Sequence, residues 1–278
     1  MRVGQGLLSA VRISTAVLPC VVAGELGGTV VSAYRAALNL RCRDEVVTLS
    51  LVELGVLPNG VTIKGADDLR AVAAPGDVIA VRVSSARPWS PILRPLARPP
   101  SFDAVARAAR AAAARAPSSG FGPLLRSPDE DDDLFRAAAR PALRLLGAAA
   151  QRGDPLGAAE AARSLVGLGV GLTPSGDDVL VGLTAALTVV RSPLARPIAQ
   201  AAADNGARTT LIGRTYLEHA ARGEYAERVH DLVAAVAAGD ERSVCDAMSW
   251  GATSGADLSL GVLLGAQAAW PTSKTRAA

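Results

Sequence analysis

The densest chemistry in the sequence lies at Gly167 to Asp178, GLGVGLTPSGDD. Three alternate glycines, Gly167, Gly169 and Gly171, run into Thr173-Pro174-Ser175-Gly176. Two carboxylates, Asp177 and Asp178, then open an apolar stretch. Glycine admits φ > 0 and lets a ligand come close to the main chain. Ser175 stands where an N-cap belongs, with Asp178 three residues on in a capping-box spacing. The N–H groups of that first helical turn would hold a small anion, together with the backbone at Gly169 and Gly171 and the hydroxyls of Thr173 and Ser175. Capping accounts for Ser175 and one Asp. It leaves the glycines, Thr173 and the second carboxylate unexplained. No Lys-Ser/Thr follows, which excludes a Walker loop, and a helical rather than a strand pattern precedes, which excludes a dinucleotide fingerprint.

The pattern occurs twice. Ser175-Gly176-x-Asp178-x-x-x-Gly182 returns as Ser254-Gly255-x-Asp257-x-x-x-Gly261, offset by 79 residues at all four positions, with Thr253 ahead of it. Each glycine lies one turn beyond its Asp on the same helix face. Two such helices can cross closely there and turn their N-termini into one cleft. Asp177, Asp178 and Asp257 are then the candidate catalytic carboxylates. Gly169, Gly171, Thr173, Ser175, Gly176, Thr253, Ser254 and Gly255 are the candidate substrate-binding residues. Arg208, read on one helix face with Leu211 and Thr215, is a candidate clamp for a carboxylate or phosphate. Carboxylates beside an anion make sense when an ammonium-like group or a divalent cation neutralises them. Mg²⁺ is therefore a possible cofactor, although no ligand set can be identified from the sequence. His219 and His230 lie among helical charges and read as surface residues. No nucleophile elbow is present.

The elements that must position these residues change character along the chain. Residues 1–86 read as a small β-rich domain, with strands at Thr29 to Tyr34, Val46 to Leu51, Val61 to Ile63 and Val78 to Val83 between Gly and Pro turns. That spacing suggests a sandwich or barrel. Residues 87–100 hold five prolines and form a joint through which neither helix nor central strand can run. Residues 101–278 read as a larger α-helical domain, giving an α+β fold. Ser101 caps the first helix. The acidic run Asp129 to Asp133 opens a second, which Pro141 should kink or split. Asp154 and Asp240 cap later helices, and the last runs from Ser254 to Trp270.

Composition narrows the function classes. The 278 residues are 50% hydrophobic, 20% charged and only 3% aromatic, with a net charge of +3. All basic residues but Lys64 and Lys274 are Arg. A basic chain with so few aromatics lacks stacking platforms for nucleic acid. Arg82 to Arg126 is Arg-rich but full of proline. Apolar runs at Val179 to Val190 and Leu258 to Trp270 fall short of the roughly 20 residues of a membrane span. Cys20, Cys42 and Cys245 make no CxxC and suit a reducing cytoplasm. Val17-Leu18-Pro19-Cys20 has only a faint look of a lipoprotein site, and an unprocessed N-terminus is expected.

The stretch GLGVGLTPSGDDVLVG, Gly167 to Gly182, resembles the signature of a bacterial domain-of-unknown-function family. That family includes the small, AllH-like subunit of oxamate carbamoyltransferase. Gly251 to Gly261 and the Thr209 to Gly223 segment resemble further parts of the same family. The resemblance implies a transferase (carbamoyltransferase) subunit acting in allantoin catabolism and purine degradation, where carbamoyl phosphate and oxamate give oxalurate and phosphate. It implies a small anionic substrate and other subunits of a multisubunit complex as partners. The alternative is a non-catalytic assembly or regulatory subunit in the same nitrogen metabolism, whose paired turns only cement a helical core.

Overall fold

The computed structural model describes residues 8–127 and 133–269. The acidic residues 129–132 and everything from Trp270 onward lie outside the described residues. The fold is α+β, with strands first and helices after. The chain divides into two compact units, Met1–Ile92 with Glu224–Arg228, and Leu93–Gly223 with Val229–Ala278.

The first unit is one curved sheet of eight strands: β1 (Ser9–Ser14), β2 (Val21–Val22), β3 (Glu25–Ala33), β4 (Ala37–Cys42), β5 (Glu45–Leu51), β6 (Gly60–Lys64), β7 (Val78–Arg82) and β8 (Arg87–Trp89). The order is β2-β3-β4-β5-β6-β1-β8, with β7 also on β3. Pairing is antiparallel except for β5–β6 and β1–β8. Leu26, Leu38, Leu40, Leu49 and Ile63 fill its core with no exposed surface. The four expected strands are present. β1, β2, β4 and β8 are additional. In β4 the buried Asn39 interrupts the apolar alternation. Its amide is satisfied by Ser32 Oγ at 2.9 Å and by the Thr48 hydroxyl at 2.8 Å. The proline-rich stretch begins with β8, a sheet edge, where Pro88 needs no ladder donor. Glu224–Arg228 joins this unit. Both Glu227 carboxylate oxygens accept from Arg12 Nη1, at 2.7 and 2.8 Å, and Oε2 also accepts from Val56 N at 3.1 Å.

The second unit is helical: α1 (Phe102–Arg115), α2 (Leu134–Arg152), α3 (Pro155–Arg163), α4 (Ser175–Val189), α5 (Ala195–Asp204), α6 (Leu211–Ala221), α7 (Glu227–Ala238, whose first two residues lie in the β unit), α8 (Glu241–Ala247) and α9 (Ser254–Ala269). Ser101 caps α1 through Ala104 N, Asp154 caps α3 through Gly157 N, and Asp240 caps α8 through Ser243 N. α2 runs through Pro141 without splitting. Pro141 lies on the exposed face, so the carbonyl of exposed Ala137, which loses its N–H partner, turns to water. His219 is buried, not a surface residue, with Nδ1 3.0 Å from Arg222 Nη2. α4 sits at the centre, buried on every side over its first thirteen residues. A helix apolar all round belongs in a core.

Candidate functional site

α4 and α9 cross at the two glycines. A Cβ on Gly182 would collide with the Leu258 carbonyl, and one on Gly261 with the Val179 carbonyl. Those partners are themselves 79 residues apart, so the crossing is reciprocal, each helix meeting the other with the same residues. The N-terminal turns correspond as well. Gly176 N donates to Leu168 O at 2.8 Å and Gly255 N to Trp250 O at 3.0 Å. Neither glycine has room for a Cβ against the preceding turn.

The register of both helices differs from the expectation by one residue. Pro174, at φ −55 and ψ 145, is the N-cap of α4, and its carbonyl accepts from Asp177 N at 2.9 Å and Asp178 N at 3.2 Å. Ser175 is thus the first helical residue and caps nothing. In the second copy the Thr253 carbonyl accepts from Asp257 N at 3.0 Å. The serines, set free from capping, reach across: Ser254 lies beside Asp178, and Ser175 beside Asp257. The Thr173 hydroxyl donates to Asp178 Oδ2 at 3.0 Å and stands 3.1 Å from Ser254 Oγ.

Asp178, Asp257, Thr173, Ser175, Thr253 and Ser254 therefore form one cluster. Its carboxylates and Ser175 are deep and its other hydroxyls outer: Asp257 has no exposed surface, Ser175 and Asp178 are 3% and 4% exposed, whereas Thr173, Thr253 and Ser254 are half-buried. Burial first, then the charge of Asp257, hold Asp178 well above the usual carboxylate range, against the pull of Ser254 and Thr173. Burial raises Asp257 against the Phe121 backbone, Ser175 and Thr253.

Asp177 faces elsewhere. It accepts from Gly167 N at 2.8 Å and from the Thr209 hydroxyl, tying the start of the glycine loop and the approach to α6 onto α4. Burial raises its pKa, opposed by those two donors. Gly213 packs so close to Asp177 and Thr209 that a side chain there would overlap both. Gly169 (φ +118) passes over Ser175, and Gly171 (φ +104) is exposed. Thr210 Oγ1 bonds to the Leu172 carbonyl, fixing the loop's far end.

Arg208 does not share the α6 face with Leu211 and Thr215. It lies in a short 3-10 turn before the helix, where its exposed Nη1 donates to Arg163 O at 2.7 Å, at the end of α3. Two contributors were not picked out from the sequence: Phe121, whose N–H donates to Asp257 Oδ1 at 2.7 Å, and Tyr216 on α6. Burial and the charge of Asp178 both raise the Tyr216 phenol. Their common signal is position alone, since they reach the cluster from other segments.

Among the described residues no three His, Cys, Asp or Glu side chains gather as a metal set. A cavity of about 570 Å³ is lined by Leu124, Leu143, Arg140, Leu260 and Leu263 among others, with no residue of the cluster in its lining. No described helix is long and apolar enough to cross a membrane.

The paired turns, the glycine loop and α6 all fall in one stretch of sequence that can be compared with known families. Residues 165–266 match the AllH family. Its description is oxamate carbamoyltransferase subunit AllH. The AllH match begins at Leu165, just ahead of the glycine loop, and ends at Ala266 in α9, so it takes in both copies of the repeat. No curated protein and no solved structure matches the chain.

Proposed function

We propose that the chain is a carbamoyltransferase subunit that holds a small anionic or amide substrate at the hydroxyl rim over Asp178 and Asp257. In the reaction suggested by the AllH family's name, the oxamate nitrogen attacks the carbamoyl carbon of carbamoyl phosphate. A nitrogen–carbon bond forms, the carbon–oxygen bond to phosphate breaks, and the proton lost by nitrogen leaves with the products. The observation that carries this reading is the α4–α9 crossing, which brings Thr173, Ser254 and two buried carboxylates from distant sequence into one cluster. Thr173, Ser254 and Thr253 would meet the ligand, with exposed Gly171 and the main chain of the loop closing over it. Gly176 and Gly255 contribute through close packing, since their N–H groups already serve backbone carbonyls. Other subunits would complete the site.

The assembly-subunit reading has its own support in that burial: Asp177, Asp178 and Asp257 are all within 4% of fully enclosed. Ligand stabilisation separates the two. Carbamoyl phosphate, oxamate, oxalurate and phosphate would be titrated, with and without Mg²⁺, alone and with partner subunits. A ligand that binds only the folded chain stabilises it by RT ln(1 + [L]/Kd), so the melting temperature rises with the logarithm of its concentration above Kd. A rise abolished by Ser254→Ala supports the substrate site. No rise with any ligand, even in the reconstituted complex, favours assembly.

A further inference from the structure

The outward side of α2 is apolar, where a surface helix normally turns polar residues to water. Leu134 is 84% exposed and Leu145 61%, and Ala138 and Pro141 between them are exposed as well. The opposite side, Ala139, Ala142, Leu146, Ala149 and Ala150, is buried in the helical unit. The four outward residues stand four, three and four positions apart. That alternation keeps apolar side chains on one seam, as in helices that pair along their length. The same spacing continues through half-buried Ala148 to Arg152, whose side chain is 64% exposed and lies 3.9 Å from Asp154. An apolar seam of this kind left open to water marks a contact surface.

We propose that this seam is the interface of a two-fold dimer, in which α2 of a second copy of the chain lies antiparallel along it. The order of the residues selects a second copy. The seam has a leucine at each end, Leu134 and Leu145, and the compact Ala138 and Pro141 in the middle. Turned end for end about a point between Ala139 and Arg140, it sets Leu134 against Leu145 of the other copy and Ala138 against Pro141. A patch that meets itself in this way is what a two-fold axis requires. Charge selects the direction. The sequence leading into α2 is acidic, Asp129-Glu130-Asp131-Asp132, and the far end of the seam carries Arg152. A parallel pair would bring acid to acid and Arg to Arg. The antiparallel pair brings the acidic entry of each copy toward Arg152 of the other.

The dimer is independent of the substrate reading and is tested without ligand. Sedimentation equilibrium of the full chain at micromolar concentrations should give a mass that rises toward twice that of one chain. The two-fold axis uses Leu145 twice, so Leu145→Glu should raise the dimer dissociation constant by about a hundredfold or more. Ala138→Glu, at an exposed alanine in the middle of the seam, serves as a second variant should Leu145→Glu fold poorly. Arg152→Glu should raise the constant by about threefold to tenfold, and moderate sodium chloride should act in the same direction. A single-chain mass at every concentration overturns the proposal. So does a dimer undisturbed by Leu145→Glu or by Ala138→Glu, or one that tightens as salt is added, since a parallel pair of like-charged ends would do that. A chain that stays single but loses its binding to other carbamoyltransferase subunits on Leu145→Glu overturns it too, and gives the seam to a different protein.

Discussion

Asp177 joins two segments to α4, and the kind of substitution decides how much of that is lost. Asparagine keeps an oxygen for Gly167 N, and its NH₂ can donate to Thr209 Oγ1, because a hydroxyl accepts as well as donates. Asp177→Asn should therefore stay within about 1 kcal/mol of wild type. Asp177→Ala leaves Gly167 N–H without its acceptor in a mostly enclosed place, at about 1–3 kcal/mol. Urea titrations of both variants check this, and equal losses would refute the pairing. The carboxylates also give the stability a pH dependence. Asp177, Asp178 and Asp257 are all raised, chiefly by burial. Unfolded, they ionise near pH 4, so above that the unfolded chain holds fewer protons and stability falls as pH rises toward the folded values. Asp68, lowered to about 2, and Asp240, also lowered, act only below pH 4 and do not disturb this window. Melting temperatures from pH 5 to 8 should decline more steeply for wild type than for Asp178→Asn. Parallel profiles would show that Asp178 does not hold a raised value. At this scale the sequence was informative about which residues meet and less so about how. The 79-residue repeat marks Asp178 and Asp257. The serine roles depend on Pro174 and Thr253 starting each helix a residue early, which a capping pattern does not reveal.

Helix crossings set by glycine make sharp predictions at the level of elements. Gly182→Ala or Gly261→Ala must push a carbonyl of the partner helix aside, and the pair of helices is too enclosed to move freely. Each should cost about 3 kcal/mol, the upper end of ordinary overpacking. Gly147, inside α2, has nothing within 4 Å of its missing Cβ. Gly147→Ala should be neutral or stabilise by about 0.5–1 kcal/mol. Thermal melts of the three variants test whether close approach, rather than glycine in a helix, is what matters; similar shifts in all three would count against the crossing. The repeat goes beyond the glycines. Each central helix follows a shorter one capped by Asp, Asp154 before α3 and Asp240 before α8. Between the matching backbone contacts the first copy has three more residues than the second, and the Gly169–Gly171 stretch lies in that longer turn. The longer turn makes the two N-termini unequal and gives only one of them the exposed loop. The four expected strands were legible because β-branched runs stand between turn residues. β4 was not, because Asn39 is satisfied only by Ser32 and Thr48 from neighbouring strands.

The division of the whole molecule is not a single cut in the sequence. The proline-rich stretch suggests one boundary, whereas the first unit runs to Ile92 and is joined again by Glu224–Arg228, after residues 93–223. Local composition carries no sign of that return, because its basis is a partnership made at long range. Glu227 gathers Arg12 and Val56 N, Tyr225 is 1% exposed, and Tyr225 N donates to Pro91 O at 2.8 Å. The Arg12–Glu227 pair is about a quarter to a third exposed, so solvent weakens it relative to an enclosed pair. Both carboxylate oxygens are nonetheless engaged, and removing the group also strips the acceptor from Val56 N. Glu227→Ala should therefore cost about 1–2 kcal/mol, more than an ordinary surface ion pair and less than an enclosed one. Glu227→Gln keeps an acceptor for one donor and should lose less. The pair should be read by urea unfolding followed both through strand and through helix signals. If the returning segment links the folding of the β unit to that of the chain around it, Glu227→Ala shifts the strand signal by that amount. An unchanged strand midpoint would mean that Glu224–Arg228 rests on the sheet without supporting it, and that the β unit stands on residues 8–92 alone.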